Sequence, residues 1–214
     1  MTTTLQNLGP IEQLRAGRLA RRIPQLLVGL FLYGFSIAMQ VRGALGVAPW
    51  DVLTQGLSRW LPLSFGTIAI LVSVVVLLLW IPLRQLPGLG TICNVVLVGI
   101  SADIGLALIP VVDDLGPRIA LTVGGVVLNG LAGGLYIGAQ FGPGPRDGLM
   151  TGLHRRTGRS LRLVRTGIEV VVLSIGWLLG GQVWIGTLLY ALAIGPLTQF
   201  FLRWTLVRLP EPTI

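Results

Sequence analysis

The chain has 214 residues, of which 53% are hydrophobic and only 11% charged, and its mean hydropathy is +0.81. Average soluble proteins carry roughly 25% charged residues, and a soluble globule needs that polar surface to cover itself. The composition therefore excludes an ordinary soluble enzyme and a disordered chain, and leaves an integral membrane protein. The 16 basic residues, all Arg, stand against 8 acids for a net charge of +8. Such a balance also suits nucleic acid. Here the arginines fall between apolar runs, so they read as orientation signals at a membrane face, and no nucleic-acid partner is expected.

In chain order, residues 1–22 form a polar cytoplasmic tail ending in Arg15, Arg18, Arg21 and Arg22. Six apolar runs follow, near 23–41, 65–83, 89–109, 119–141, 161–179 and 183–204. Each is close to the ~20 residues that a helical span needs. The first run is too long for a cleaved leader and reads as a retained anchor. Residues 205–214 form a second cytoplasmic tail. Two shorter segments of mixed polarity, beginning near Pro49 and Pro145, lie after the first and fourth runs. The single cysteine, Cys93, sits in an apolar run; it excludes an internal disulfide and a multi-cysteine metal site, so no metal or cofactor is expected.

The strongest feature is an internal duplication. A shift of 96 residues, without a gap, lays Gly34 on Gly130, Gly46 on Gly142 and Pro49 on Pro145. It also lays Asp51 on Asp147, Gly56 on Gly152, Ser64 on Ser160, and Gly90-Thr91 on Gly186-Thr187. Membrane composition gives chance matches among Leu and Val, but not a matched Gly-x-x-Pro-x-Asp-x-Leu-x-x-Gly-Leu. The expected fold is an all-α polytopic membrane bundle of two three-helix repeats, residues 23–110 and 119–204. Three spans are an odd number, so the second copy is expected to be inverted.

With the termini inside, only Arg42, Arg59 and Arg118 of the 16 arginines lie outside, as the positive-inside rule asks. A rival with four plus four parallel spans satisfies the same count. Length decides against it, because a helix from Pro145 to Arg156 reaches only ~18 Å against a hydrocarbon core of ~30 Å.

Several residues are candidates for chemistry. Pro suits the first turn of a helix, which puts Asp51 and Asp147 where free N–H groups and the positive dipole end favour a carboxylate. Each segment is then an interfacial helix or a re-entrant half-helix whose start lines a solute path. Trp50, Asp51, Arg146 and Asp147 are the candidate residues there. In the fifth run Arg162, Arg165 and Glu169 replace Gly66, Ala69 and Ser73 of the first repeat. Glu169, ~12 Å into its span, is expected to face the bundle interior, with Arg165 one turn below as a pairing partner. Asn94, Asp103, Asn129 and Gln199 read as interhelical glue. The Gly130, Gly134, Gly138 stripe marks a close helix contact, between the repeats or between protomers of a homo-oligomer. His154, beside Arg155 and Arg156, reads as a solvated loop residue.

Pro49-Trp50-Asp51-Val52-Leu53, the run Gly142 to Met150 and Val164-Arg165-Thr166-Gly167-Ile168-Glu169 resemble the YczE-like bacterial membrane proteins, related to the YitT type. The resemblance covers nearly the whole chain from about residue 24. It implies a multi-pass bacterial plasma-membrane protein and carries over no catalytic residues.

There is no metalloprotease motif, phosphate loop or nucleophile with a nearby base, so enzymatic activity is not expected. The leading expectation is a small transporter or permease for a small solute, its path lined by the half-helices and by Arg165 and Glu169. The rival is a non-transporting scaffold that binds a partner or anionic lipid through the Arg155–Arg165 stretch.

Overall fold

The computed structural model describes residues 9–209. The expected tails lie partly beyond it, with residues 1–8 and 210–214 outside the described residues. Among the described residues every regular element is a helix: α1 (Pro10–Arg15), α2 (Leu19–Gly43), α3 (Pro49–Ser58), α4 (Phe65–Leu78), α5 (Trp80–Leu83), α6 (Leu89–Leu108), α7 (Leu115–Gly138), α8 (Pro145–Thr157), α9 (Leu161–Leu178) and α10 (Ile185–Thr205).

Local chemistry sets many of these ends. Ser64 and Ser160 cap α4 and α9, accepting from the backbone N–H of Thr67 and Leu163, the usual N-cap bond. Pro49 and Pro145 open α3 and α8, where a missing N–H costs nothing. Gly46 and Gly142 precede them at φ of +106° and +99°, a region that glycine enters without a Cβ penalty.

Five helices are long and apolar enough to cross a membrane: α2, α4 with α5, α6, α7 and α10. The fifth expected run is helical as α9, but Arg162, Arg165 and Glu169 keep it out of that set. α3 and α8, at 10 and 13 residues, reach only ~15–20 Å and do not span.

The centre of the bundle is α2, which packs on α7 and α6, while α7 also holds α10. Small residues make these contacts, because lipid supplies no hydrophobic drive between helices and close backbone approach must do the work. Gly29 abuts Tyr136 and the Ala132 carbonyl; 96 positions on, Gly125 abuts Gln40 and the Ser36 carbonyl. Gly34 lies against Ser101 and Ala102, and Gly130 against Leu197 and Thr198, the positions 96 further along. Gly90 donates to the Phe141 carbonyl at 2.8 Å, and Gly186 to the Leu45 carbonyl at 2.6 Å. The glycine stripe serves α10: Gly130, Gly134 and Gly138 face Leu197, Phe201 and Thr205. This contact lies within the second repeat, which corrects the expectation of a contact between repeats or protomers.

Arg22 differs from a flanking orientation charge. It is fully buried, donates to the carbonyls of Gln13, Ala139 and Gln140, and stacks on Phe141 at 4.1 Å. It ties α1 and the start of α2 to the end of α7. The first membrane-length helix accordingly begins at Leu19, and α1 precedes it, both inside the stretch expected to be tail. Val207 donates to Gly138 and Gln25 donates to Thr205, so the last described residues lie at the end of the bundle where α2 begins.

Candidate functional site

The two short helices converge. Their equivalent positions, Trp50-Asp51 and Arg146-Asp147, form one cluster. An Arg146 terminal nitrogen lies 3.2 Å from Asp51 Oδ1, with side-chain exposures of 22% and 4%. The guanidinium also lies over the Trp50 ring at 5.2 Å, within cation–π range. The Trp50 indole N–H, buried, has no acceptor among the described residues. Burial pushes the Asp51 carboxyl up from its ordinary range and the Arg146 guanidinium opposes that rise. Asp147 is exposed and accepts from the Tyr136 hydroxyl at 2.6 Å. Neither pairing is the expected one, in which each carboxylate serves the free N–H groups of its own helix. The partners come instead from the other short helix and from α7.

All three tyrosines of the chain gather around this cluster, though no common spacing along the chain relates them. Tyr33 and Tyr136 meet edge to face at 6.2 Å. Tyr190 lies within electrostatic reach of Tyr33 and donates to Asn129 Oδ1 at 3.1 Å. Asn129 in turn donates to Ser36 at 2.8 Å. Three phenols on α2, α7 and α10 thus hold a polar network inside an apolar bundle.

Three hollows follow the axis. A central chamber of about 60 Å³ is lined by Tyr33, Ser73, Asn94, Tyr136, Arg146 and Asp147, among others. A cleft of about 570 Å³ opens at the end where α2 begins, between Gln13, Arg84, Gln85, Thr151 and Arg155. A second, of about 400 Å³, opens where α2 ends, between Arg42, Gln55, Ser58, Arg59 and Gln182. Tyr136 and Asp147 line both the chamber and the first cleft. Phe65 lines both the chamber and the second cleft.

Arg165 and Glu169 do pair, at 2.9 Å, but on the flank, with side chains 50% and 27% exposed; neither lines these three hollows. Asp103 accepts from Ser64 and from the Gly66 N–H, an interhelical tie between α6 and the start of α4. Asn94 lines the chamber. His154 meets the Arg159 carbonyl at 2.6 Å. Among the described residues no three His, Cys, Asp or Glu side chains gather to hold a metal ion.

An all-helical bundle with five membrane-length apolar helices and a polar heart is a multi-pass integral membrane protein. The chain belongs to the family of unknown function DUF6198, which it matches over residues 20–203. It is 36% identical over 191 residues to an uncharacterized protein of Haemophilus influenzae, covering 89% of this chain and 87% of that one. It is 32% identical over 176 residues to the uncharacterized membrane protein YczE of Bacillus subtilis, covering 81% and 82%. The uncharacterized protein YyaS of the same bacterium is 27% identical over 179 residues, covering 82% and 89%. The YczE-like resemblance read from the motifs is therefore shown. No solved structure matches the chain.

Proposed function

We propose that the protein is a small transporter or permease of the bacterial plasma membrane, built as two inverted three-span repeats with both termini cytoplasmic. The carrying observation is the shared lining of the three hollows. A chamber between the start of α8 and helices α2, α4, α6 and α7 borders one cleft through Tyr136 and Asp147 and the opposite cleft through Phe65. At about 60 Å³ the chamber has room for no more than a few waters, which fits a shut state between two openings. The contacts repeated 96 positions apart support the duplicated architecture, and inversion brings the two short helices in from opposite faces. Burial of Trp50, Asp51, Val52, Thr54 and Gly56 supports a re-entrant α3 over an interfacial one, which would leave a polar face wet.

In this reading Arg146, with Asp51 and Trp50 fixing its plane, is the solute contact. Asp147 and Tyr136 form the closure on the cytoplasmic side. The solute presents a hydrogen-bond acceptor to Arg146 and to the unpaired Trp50 N–H. Flux of a broad panel of small solutes into proteoliposomes tests it. The expected result is a solute whose flux is lost in Arg146→Gln and Asp147→Asn. A flux indifferent to both substitutions overturns the site. The absence of any flux across the panel favours the scaffold alternative.

A further inference from the structure

The two halves part company at one place. In the first half, α4 lies along α6, with Gly66 against Gly99 and Asp103, and Gly66, Ala69, Val76 and, on α5, Trp80 are buried. The corresponding residues of α9 are Arg162, Arg165, Val172 and Gly176. Only Val172 and Gly176 are buried, because α9 leans on α3 and α8 and not on α10. The glycines report the same difference. A Cβ on Gly99 meets the Gly66 carbonyl, whereas one on its counterpart Gly195 meets nothing within 4 Å. The cause is in the sequence: Gly66 allows the backbones to touch, and Arg162 at that position does not. The lower half of α9 therefore stands off α10 and leaves a lateral gap.

The gap is polar at its base and apolar above. Arg162 and Arg165 near the start of α9 and Gln199 near the end of α10 are exposed. Gly195 and Leu192, at i−4 and i−7 from Gln199, continue the same face of α10 toward the membrane middle, and Leu192 is exposed. Arg165 spends only its Nε on Glu169 and lies within electrostatic reach of Asp147 and Tyr190. Arg162 has no hydrogen-bond partner among the described residues. Two guanidinium groups with free donors sit beneath a hydrocarbon-facing slot between two long helices, with Glu169 bonded to one of them and Asp147 within its electrostatic reach.

We propose that this gap holds an anionic phospholipid, its phosphate on Arg162 and Arg165 and an acyl chain along Gly195 and Leu192. A guanidinium matches the phosphate oxygens in geometry and charge. The sideways opening and the apolar wall above the arginines select a lipid over a free anion. The assignment stands whether or not the chain carries a solute.

Native mass spectrometry of the purified full chain tests it, with phosphatidylglycerol, phosphatidylcholine and glycerol 3-phosphate as probes. The expected result is retention of phosphatidylglycerol alone. Arg162→Ala with Arg165→Ala weakens that retention by about fivefold for each arginine removed. Arg162→Lys with Arg165→Lys, which keeps both charges, restores most of it and controls for folding. Arg155→Ala with Arg156→Ala, on the neighbouring exposed stretch, leaves it unchanged. The proposal is overturned if the double alanine variant retains lipid as the parent does, or if the Arg155 and Arg156 variant loses as much. Equal retention of phosphatidylcholine overturns it too, as does equal binding of glycerol 3-phosphate, which would make this a soluble-anion site.

Discussion

Arg146 reaches from the first turn of α8 to Asp51 in the first turn of α3, and the 3.2 Å contact joins two helices that start 96 residues apart. Arg146 occupies the position that Trp50 holds in the first half, and it rests on that same tryptophan. One half supplies the aromatic platform and the other the cation.

This pairing carries a stability consequence. Asp51 is buried, and removing its cation leaves an uncompensated charge, a change that typically costs about 3–5 kcal/mol. Arg146→Ala is expected to destabilise by about that much, while Asp51→Asn combined with Arg146→Gln costs markedly less. Thermal unfolding in detergent reads both. Equal losses in the single and double variants contradict the account.

A second prediction concerns glycine. The Trp80 indole lies flat against Gly148, donates to the Pro145 carbonyl at 3.0 Å and occupies the place a Cβ would take. Gly148→Ala is expected to destabilise by about 1–3 kcal/mol through overpacking. Gly167 on α9 has nothing within 4 Å, so Gly167→Ala is expected to be neutral or stabilising by up to about 1 kcal/mol. A matching loss at the two sites in the same unfolding measurement contradicts this packing.

The tyrosine network predicts a modest coupling. Polar contacts between membrane helices average about 0.6 kcal/mol and reach about 1.7. A double-mutant cycle on Tyr190→Phe and Asn129→Leu is expected to give a coupling in that range. A coupling indistinguishable from zero removes the network from the energetics.

Much of the site was legible because it rests on local chemistry. Proline at a helix start, an acid one turn in and a glycine before the turn read directly from Gly46-x-x-Pro49-x-Asp51 and its copy. The Arg165–Glu169 pair read from i,i+4 spacing. What stayed hidden depends on distant partners. Arg22 sits among other arginines in sequence, and only the carbonyls of Ala139 and Gln140, brought in by the end of α7, make it a buried tie. Tyr33, Tyr136 and Tyr190 have no common spacing, and only the folded bundle brings them together. Glu169 stands half-exposed beside Arg165, because α9 leans on α3 and α8 and not on α10.

Orientation gives a fourth prediction. Arg84 and Arg155 line one cleft, while Arg42 and Arg59 line the other. In a Cys93→Ser background, single cysteines at positions 84 and 155 are expected to react from the cytoplasmic side. Cysteines at 59 and 118 are expected to react from outside. Reaction of position 84 from outside contradicts the three-plus-three arrangement.

The most direct test of a through-path does not require the solute to be known. Ser73 lines the central chamber together with Arg146 and lies on α4, outside the Arg146–Asp51 ion pair itself. Ser73→Cys in the Cys93→Ser background, probed with a small membrane-impermeant thiol reagent, reports access from either face of oriented vesicles. Slow reaction from both faces is expected, because in the proposed cycle the chamber opens alternately past Phe65 and past Tyr136 with Asp147. Reaction from one face only, with the other remaining inert, contradicts it.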